Sequence, residues 1–193
     1  MSTAKRFQLP DLSNPIVTKS VAATYSFKFN WGWAIFTVND QTGEFSIQSD
    51  WGNYSYRWNI NHLGEPNLTT FLAHMTEGSY VADKLHYGRP QDREEFDEDA
   101  TKRGLKLRVG EFYGETRIDL EQAKELLDII TDLDWYNTDS FLNTFDNNYD
   151  ELKILTIEPY EWIRHRYTCS YTILVEALLP FFFKYLHTLL ESK

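Results

Sequence analysis

Cysteine occurs once in the 193 residues, at Cys169. This excludes an intramolecular disulfide and a cysteine-built zinc cage, and it fits a reducing compartment. Glycine is thin too: the nine are scattered, and neither the Walker nor the dinucleotide pattern occurs, so nucleotide chemistry lacks its usual phosphate cradle. The five histidines, His62, His74, His86, His165 and His187, form no i,i+4 pair and no HExxH arrangement of the kind zinc enzymes use. Asp146 to Glu151 opens like a calcium loop, but Glu151 stands where that loop needs glycine and Ile157 where it needs a bidentate acid. No metal and no cofactor is expected. Long uncharged apolar runs are also missing. The stretch from Ile173 to Leu190 is broken by Glu176, Lys184 and His187, so it reads as a buried helical segment rather than a membrane span. No apolar run follows Lys5 and Arg6, and a secretory signal is not expected.

A surplus of positive charge is the other absence. The formal net charge is −10, and a protein gripping a phosphate backbone needs lysine and arginine on one face. Direct duplex binding is therefore not expected. From Glu115 to Glu161 thirteen acids face three basic residues, Arg117, Lys124 and Lys153, so this block alone carries −10. Asp92 to Asp99 adds six acids and one arginine, whereas the first 28 residues hold four basic residues and one acid. Net charge serves solubility first; an acidic face of this kind also docks on a basic partner.

What is plentiful is aromatic: six Trp, twelve Tyr and thirteen Phe make up 16% of a chain that is otherwise ordinary, at 42% hydrophobic and 25% charged. The length suits one domain over 1–193, with an irregular arm at 1–18, where Pro10 and Pro15 sit, and a charged loop or solvated helix at about 88–104. Tyr25, Phe27 and Phe29 alternate with polar residues, as do Phe45 and Ile47, and then Tyr54, Tyr56 and Trp58. That period of two, with Trp33 to Val38 as a further strand and turns at 39–43 and 50–53, predicts a four-stranded antiparallel meander. Helices are predicted at Leu68 to Met75 behind Asn67, at Ser79 to Leu85 with Ser79 as cap, and from Asp119 through Ile130. Further elements are a short helix around Phe141 to Phe145, and strands at Leu105 to Phe112 and Leu152 to Ile157. In the apolar C-terminal segment Tyr171 to Leu190, Pro180 should kink the helix or begin a second one. That segment needs cover from the core or from a second subunit, so self-association is a further expectation. The fold class is α+β: an N-terminal antiparallel β-meander packed against C-terminal helices.

Asp50, Arg57 and His62 form the most enzyme-like group, with Asp50 and Arg57 facing across a hairpin and His62 as acid or base. Against it stands the ordinary role of such residues, in which Asp50 and Asn53 hydrogen-bond the turn and Arg57 lies on the surface. Cys169 lies near Arg164, His165 and Arg166, but no orienting group for a nucleophile is identifiable. No catalytic residue is assigned.

The string Ser49-Asp50-Trp51-Gly52-Asn53-Tyr54-Ser55-Tyr56-Arg57-Trp58, with the Gly43 hairpin before it and Phe71-Leu72 after it, resembles small uncharacterised proteins encoded by bacteriophages and prophages. The likeness covers about residues 30 to 85 and, more loosely, Tyr171 to Leu190. That family carries no established activity, so it implies an origin and no site residues. Small acidic phage proteins often bind a host protein stoichiometrically, to block a defence system or redirect a host machine. The resemblance thus implies a non-enzymatic accessory protein in the bacterial cytoplasm. Its partner would be a basic host or defence protein, met through the acidic 115–161 region and exposed aromatics. Trp51, Arg57, Asp128, Asp132 and Asp134 are the candidate contact residues. The alternatives are an enzyme of unrecognised type around Asp50, Arg57 and His62, and a single-strand nucleic-acid binder stacking bases on Trp51, Tyr54, Tyr56 and Trp58.

Overall fold

The computed structural model describes residues 17–86, 92–156 and 158–192. Most of the arm expected at 1–18 and part of the loop expected at 88–104 lie outside these residues. The alternating segments form strands β1 (Ala23–Phe29), β2 (Gly32–Asn39), β3 (Glu44–Ser49) and β4 (Gly52–Arg57), joined in the order β1-β2-β3-β4 with every pair antiparallel. The sheet is the predicted meander. Its register aligns Tyr25 with Phe36, Phe36 with Ile47 and Ile47 with Tyr54, so one face is apolar throughout and the other carries Ser, Thr, Gln, Asn and Lys.

Two turn devices hold that register. Asn39 Oδ1 accepts from the N–H groups of Gln41 and Thr42, and Gly43 takes φ 74° while its site crowds the Trp58 carbonyl, a place with no room for a side chain. Asp40, next in the same turn, accepts from Thr69 N at 2.7 Å. That bond ties the sheet to helix α1 (Leu68–Ala73), whose own cap is Asn67. Helix α2 (Ser79–Leu85) follows; its N-cap position is Gly78 rather than the expected Ser79, and no side chain caps it.

The second half differs from the sequence reading in one large respect. Beyond the short strand β5 (Glu94–Phe96), the chain forms helix α3 (Glu98–Gly114), which takes in the last part of the segment expected as a charged loop or solvated helix and the whole of the expected Leu105–Phe112 strand. Buried Thr101, Leu105, Val109 and Phe112 recur at helical spacing, and Asp97 caps the helix by accepting from Ala100 N at 2.8 Å. Helix α4 (Leu120–Asp132) begins with a capping box between Asp119 and Gln122. Helices α5 (Thr138–Asn147) and α6 (Tyr149–Leu152) follow. The expected strand at Leu152 is thereby also corrected: Leu152 ends α6, and Leu155 is buried in the turn after it.

A strand β6 (His165–Tyr167) then pairs antiparallel with β5, aligning Glu95 with Arg166. The chain ends in helix α7 (Cys169–Ile173), a π-helical stretch Leu174–Leu178, and helix α8 (Leu179–Glu191). Pro180 lies in the first turn of α8. Its ring would crowd the carbonyl four residues back in a regular helix, and the wider π turn just before it relieves that clash.

Two cores result. One joins the apolar sheet face to α1, α2 and the 171–190 segment; the other lies among α3, α4, α5 and α6 around Trp135, Phe141 and Phe145. Among the described residues Cys169–Glu191 is the one helix long and apolar enough to cross a membrane. Its apolar stripe of Leu174, Leu178, Leu179, Phe182, Phe183 and Leu186 is buried on the chain's own sheet. Phe182 stacks on Phe36 with centroids 4.1 Å apart and planes 5° from parallel.

The helical lobe leaves the sheet core through β5 and returns through β6. At this stem Thr168 N donates to Arg93 O, Asp97 N donates to Arg164 O, and Arg166 pairs with Glu95 at 2.8 Å. We propose that the stem makes the chain unfold as one domain. Phe182→Ala in the first core and Phe141→Ala in the second should each cost about 3–5 kcal/mol and lower the same thermal transition. Two separately shifting transitions in a calorimetric scan would refute this.

Candidate functional site

The residues proposed as an enzyme-like cluster are not brought together. The hairpin register sets Arg57 opposite Glu44, at the far end of β4 from the Asp50 turn, roughly 17 Å along the strand at 3.4 Å per residue. Asp50 Oδ2 accepts from Trp33 N at 3.1 Å, Arg57 Nε donates to Thr42 O at 2.9 Å, and His62 ends a short 3-10 turn, Ile60–His62, with its side chain exposed. Each group serves its own turn. The bonds that shape the 49–52 turn come from Ser49 and Tyr54 rather than from Asp50 and Asn53. Ser49 Oγ donates to Gly52 O and accepts from Trp51 N, while Tyr54 Oη donates to Trp51 O at 2.7 Å.

Nor do the four aromatics offered as stacking platforms stand free. Trp58 is 7% exposed against Phe45, and Tyr54 and Tyr56 are half-buried on the core side of β4. Trp51 is half-buried over Gly32, with its ring 4.5 Å from that of Trp31. Trp31 extends a ridge that runs through Phe29 and Phe27 to Phe181, and it is more than half exposed itself. Trp31 lies in the Asn30–Trp31 turn between β1 and β2 and Trp33 just inside β2, and their exposure follows from that position; the segment Asn30-Trp31-Gly32 carried the signal.

The acidic candidates behave otherwise. Glu121, Glu125, Asp128 and Asp132 recur at intervals of four, three and four along α4, on the side opposite the buried Ala123, Leu126 and Ile130. That spacing makes one carboxylate stripe. Asp134 continues it beyond the helix end, beside Tyr136, which is 81% exposed. In the 115–161 block the ion pairs among described residues are Glu115 with Arg117 at 3.8 Å and Asp150 with Lys153 at 2.6 Å. Asp128, Asp132 and Asp134 have none. A shallow depression of about 680 Å³ runs beside the stripe, lined by Glu121, Glu125, Asp128 and Asp132 with Lys124, Ile129 and Leu133. Among the described residues no group of three or more His, Cys, Asp or Glu is arranged to hold a metal ion.

A family model described as a phage family, Phage_phiTE_072, matches residues 15–184. The chain belongs to this phage family. No curated protein and no solved structure matches it. The match spans the sheet, the helical lobe and the first part of α8, so the whole second core and nearly all of the first lie within the phage family's bounds.

One polar network lies apart from the acidic stripe, and no sequence signal marked it. Tyr171 Oη donates to Asp83 Oδ1 at 2.9 Å, and the same carboxylate pairs with Arg93 at 2.7 Å. Burial, followed by the Asp83 contact, pushes the Tyr171 phenol up from 10.0 to about 12. The neutral phenol is thus the form favoured by folding. Its contribution to stability is complete below pH 10 and is lost as pH rises toward 12. In a spectrophotometric phenolate titration Tyr171 should ionise late, and Asp83→Asn should bring it earlier while reducing alkaline stability. A Tyr171 that ionises with the exposed tyrosines would contradict the network.

Proposed function

We propose that this member of the phage family is a non-enzymatic accessory protein that binds a basic bacterial host or defence protein through the α4 face, in the bacterial cytoplasm. The observation that carries the reading is the α4 stripe, in which Glu121, Glu125, Asp128, Asp132 and Asp134 are exposed and unpaired among the described residues. Carboxylates spaced three and four apart on a helix repel one another by roughly 0.2–0.5 kcal/mol per pair. The helix N-terminus offsets this for Glu121 in the first turn, but Asp128 and Asp132 stand toward the C-terminal end, where the dipole disfavours them. A basic surface placed over the stripe would remove the repulsion, and complementary fields would speed the encounter. Tyr136 supplies the kind of exposed, stiff aromatic that interfaces favour, directly beside Asp134. Trp51 and Arg57 lie on the other core and belong to the sheet's own turns, so they are not assigned to this surface.

The experiment is capture of the protein's partner from bacterial lysate, followed by direct binding of the purified pair. The triple variant D128N/D132N/D134N should melt at or slightly above the wild-type temperature, because all three side chains are exposed and their mutual repulsion is removed. It should bind roughly tenfold more weakly and with a flatter salt dependence. Unchanged affinity in the variant removes the α4 face from the interface, and failure to capture any basic protein removes the accessory-binder reading.

A further inference from the structure

A second recognition site follows from the free edge of β4. Trp58 N donates to Gly43 O at 2.9 Å, which makes these two a hydrogen-bonded pair across the β3–β4 hairpin. Antiparallel alternation then directs the backbone groups of Gly52, Tyr54 and Tyr56 toward β3 and turns those of Asn53, Ser55 and Arg57 outward. The outward backbone groups of Asn53 and Ser55 have no partner among the described residues. An edge of this kind is a template for another strand. Here it is walled, because Leu85, His86 and Asp92 stand across from Asn53 and Ser55 and close a cleft of about 460 Å³.

His86 makes the cleft more than an open edge. It is 7% exposed, held between the rings of Tyr54 at 5.0 Å and Tyr171 at 5.1 Å. Its Nδ1 lies 3.0 Å from Ala82 O. A carbonyl only accepts, so in the neutral ring Nδ1 carries the hydrogen and Nε2 is left as an acceptor. Nε2 has no partner among the described residues, and the imidazole lines the cleft. Asp92, on the same wall, is exposed and forms no ion pair with a described residue.

We propose that this cleft binds an extended peptide segment that pairs with Asn53 and Ser55 as an added strand and places an arginine side chain against His86 Nε2 and Asp92. The backbone groups supply the strand pairing. An acceptor nitrogen that opens onto the cleft, a carboxylate and the Tyr54 ring together select a cationic fork of N–H donors over a carboxylate or an aliphatic side chain. The choice of arginine agrees with the basic partner proposed above and rests on that reading only for the identity of the protein that carries the segment.

The probe is the peptide acetyl-Thr-Val-Thr-Arg-Thr-Val-Thr-amide, titrated into isotope-labelled full-length protein and followed by amide shifts. Shifts should gather at Asn53, Ser55 and His86. The same peptide with glutamate in place of arginine, and Asp92→Asn with the arginine peptide, should each bind about tenfold more weakly, as loss of a charge-assisted hydrogen bond implies. His86→Phe preserves the ring stack and removes Nε2, so it should weaken binding as well; if that variant unfolds, Asp92→Asn carries the test alone. N-methylation of the peptide amides beside the arginine should abolish binding. Equal affinity for the arginine and glutamate peptides, or shifts gathered on α4 with none on β4, would overturn the proposal. The D128N/D132N/D134N variant should hold the arginine peptide within about twofold of wild type, so failure at this cleft and failure at the α4 face are separate results.

Discussion

The stack of Phe182 on Phe36 is the contact on which the rest of the architecture depends. The sheet is complete by Arg57, but one of its faces is a continuous apolar surface. Helices α1 and α2 cover part of that face. The remainder waits for α8, more than 120 residues after the last strand. Phe182 enters with Phe36 at 4.1 Å, Tyr25 at 5.5 Å and Phe45 at 5.8 Å around it. Burial of several rings of this size is worth several kcal/mol, so everything between α2 and α7 must bring the chain back to where it left. The β5–β6 stem does this by running the outgoing and returning chains antiparallel, and the helical lobe builds its own core beyond it.

That arrangement also sorts the charge. The acids of 92–97 meet the basic triplet 164–166 across the stem, where Glu95 pairs with Arg166 and Arg93 with Asp83. Charge is matched there because the stem needs it. On α4 the carboxylates face outward with no counterpart among the described residues, although Lys102, Arg108 and Arg117 lie elsewhere in the same lobe and bind Glu98, Glu111 and Glu115. The ion pairs of the lobe fall on α3, its flanking turn and α6, and Lys124 is the one cation on α4, so the stripe keeps a surplus of negative charge.

The strands were legible in the sequence because one buried and one solvated face enforce a period of two, which survives without knowledge of any partner. Helix α3 was not, for a specific reason. Leu105, Leu107 and Val109 alternate with Lys106 and Arg108, and Gly104 and Gly110 lower helical propensity, so the local pattern imitates a strand. The structure decides by burial: Leu105 and Val109 are inside with Phe112, while Leu107 is 70% exposed. The Asp50–Arg57 grouping failed at register, since a two-residue turn sends the two ends of β4 apart however close they stand in sequence. The acidic block of 115–161 was legible from composition, and helical spacing gathers Glu121, Glu125, Asp128 and Asp132 of that block into a stripe. His86 was not, since its neighbours come from residues 54, 82 and 171, and only the folded chain assembles them.

The two edges of the sheet are unequal, and the inequality bears on where a partner strand goes. On β1 the core-side residues Tyr25, Phe27 and Phe29 are met by Phe181, Phe182 and Tyr185 of the last helix. The outward-turned backbone there belongs to Thr24, Ser26 and Lys28, and a lysine on an edge strand is a familiar obstacle to pairing. On β4 the outward positions are Asn53, Ser55 and, at the end far from the cleft-side turn, Arg57; the two beside the cleft are small and uncharged, faced by a histidine acceptor and a carboxylate. Each edge carries one cation, Lys28 on β1 and Arg57 on β4, and the β4 edge adds acceptors beside its uncharged positions. With the same backbone hydrogen bonds on offer at both, the side chains around them direct a cationic strand to β4.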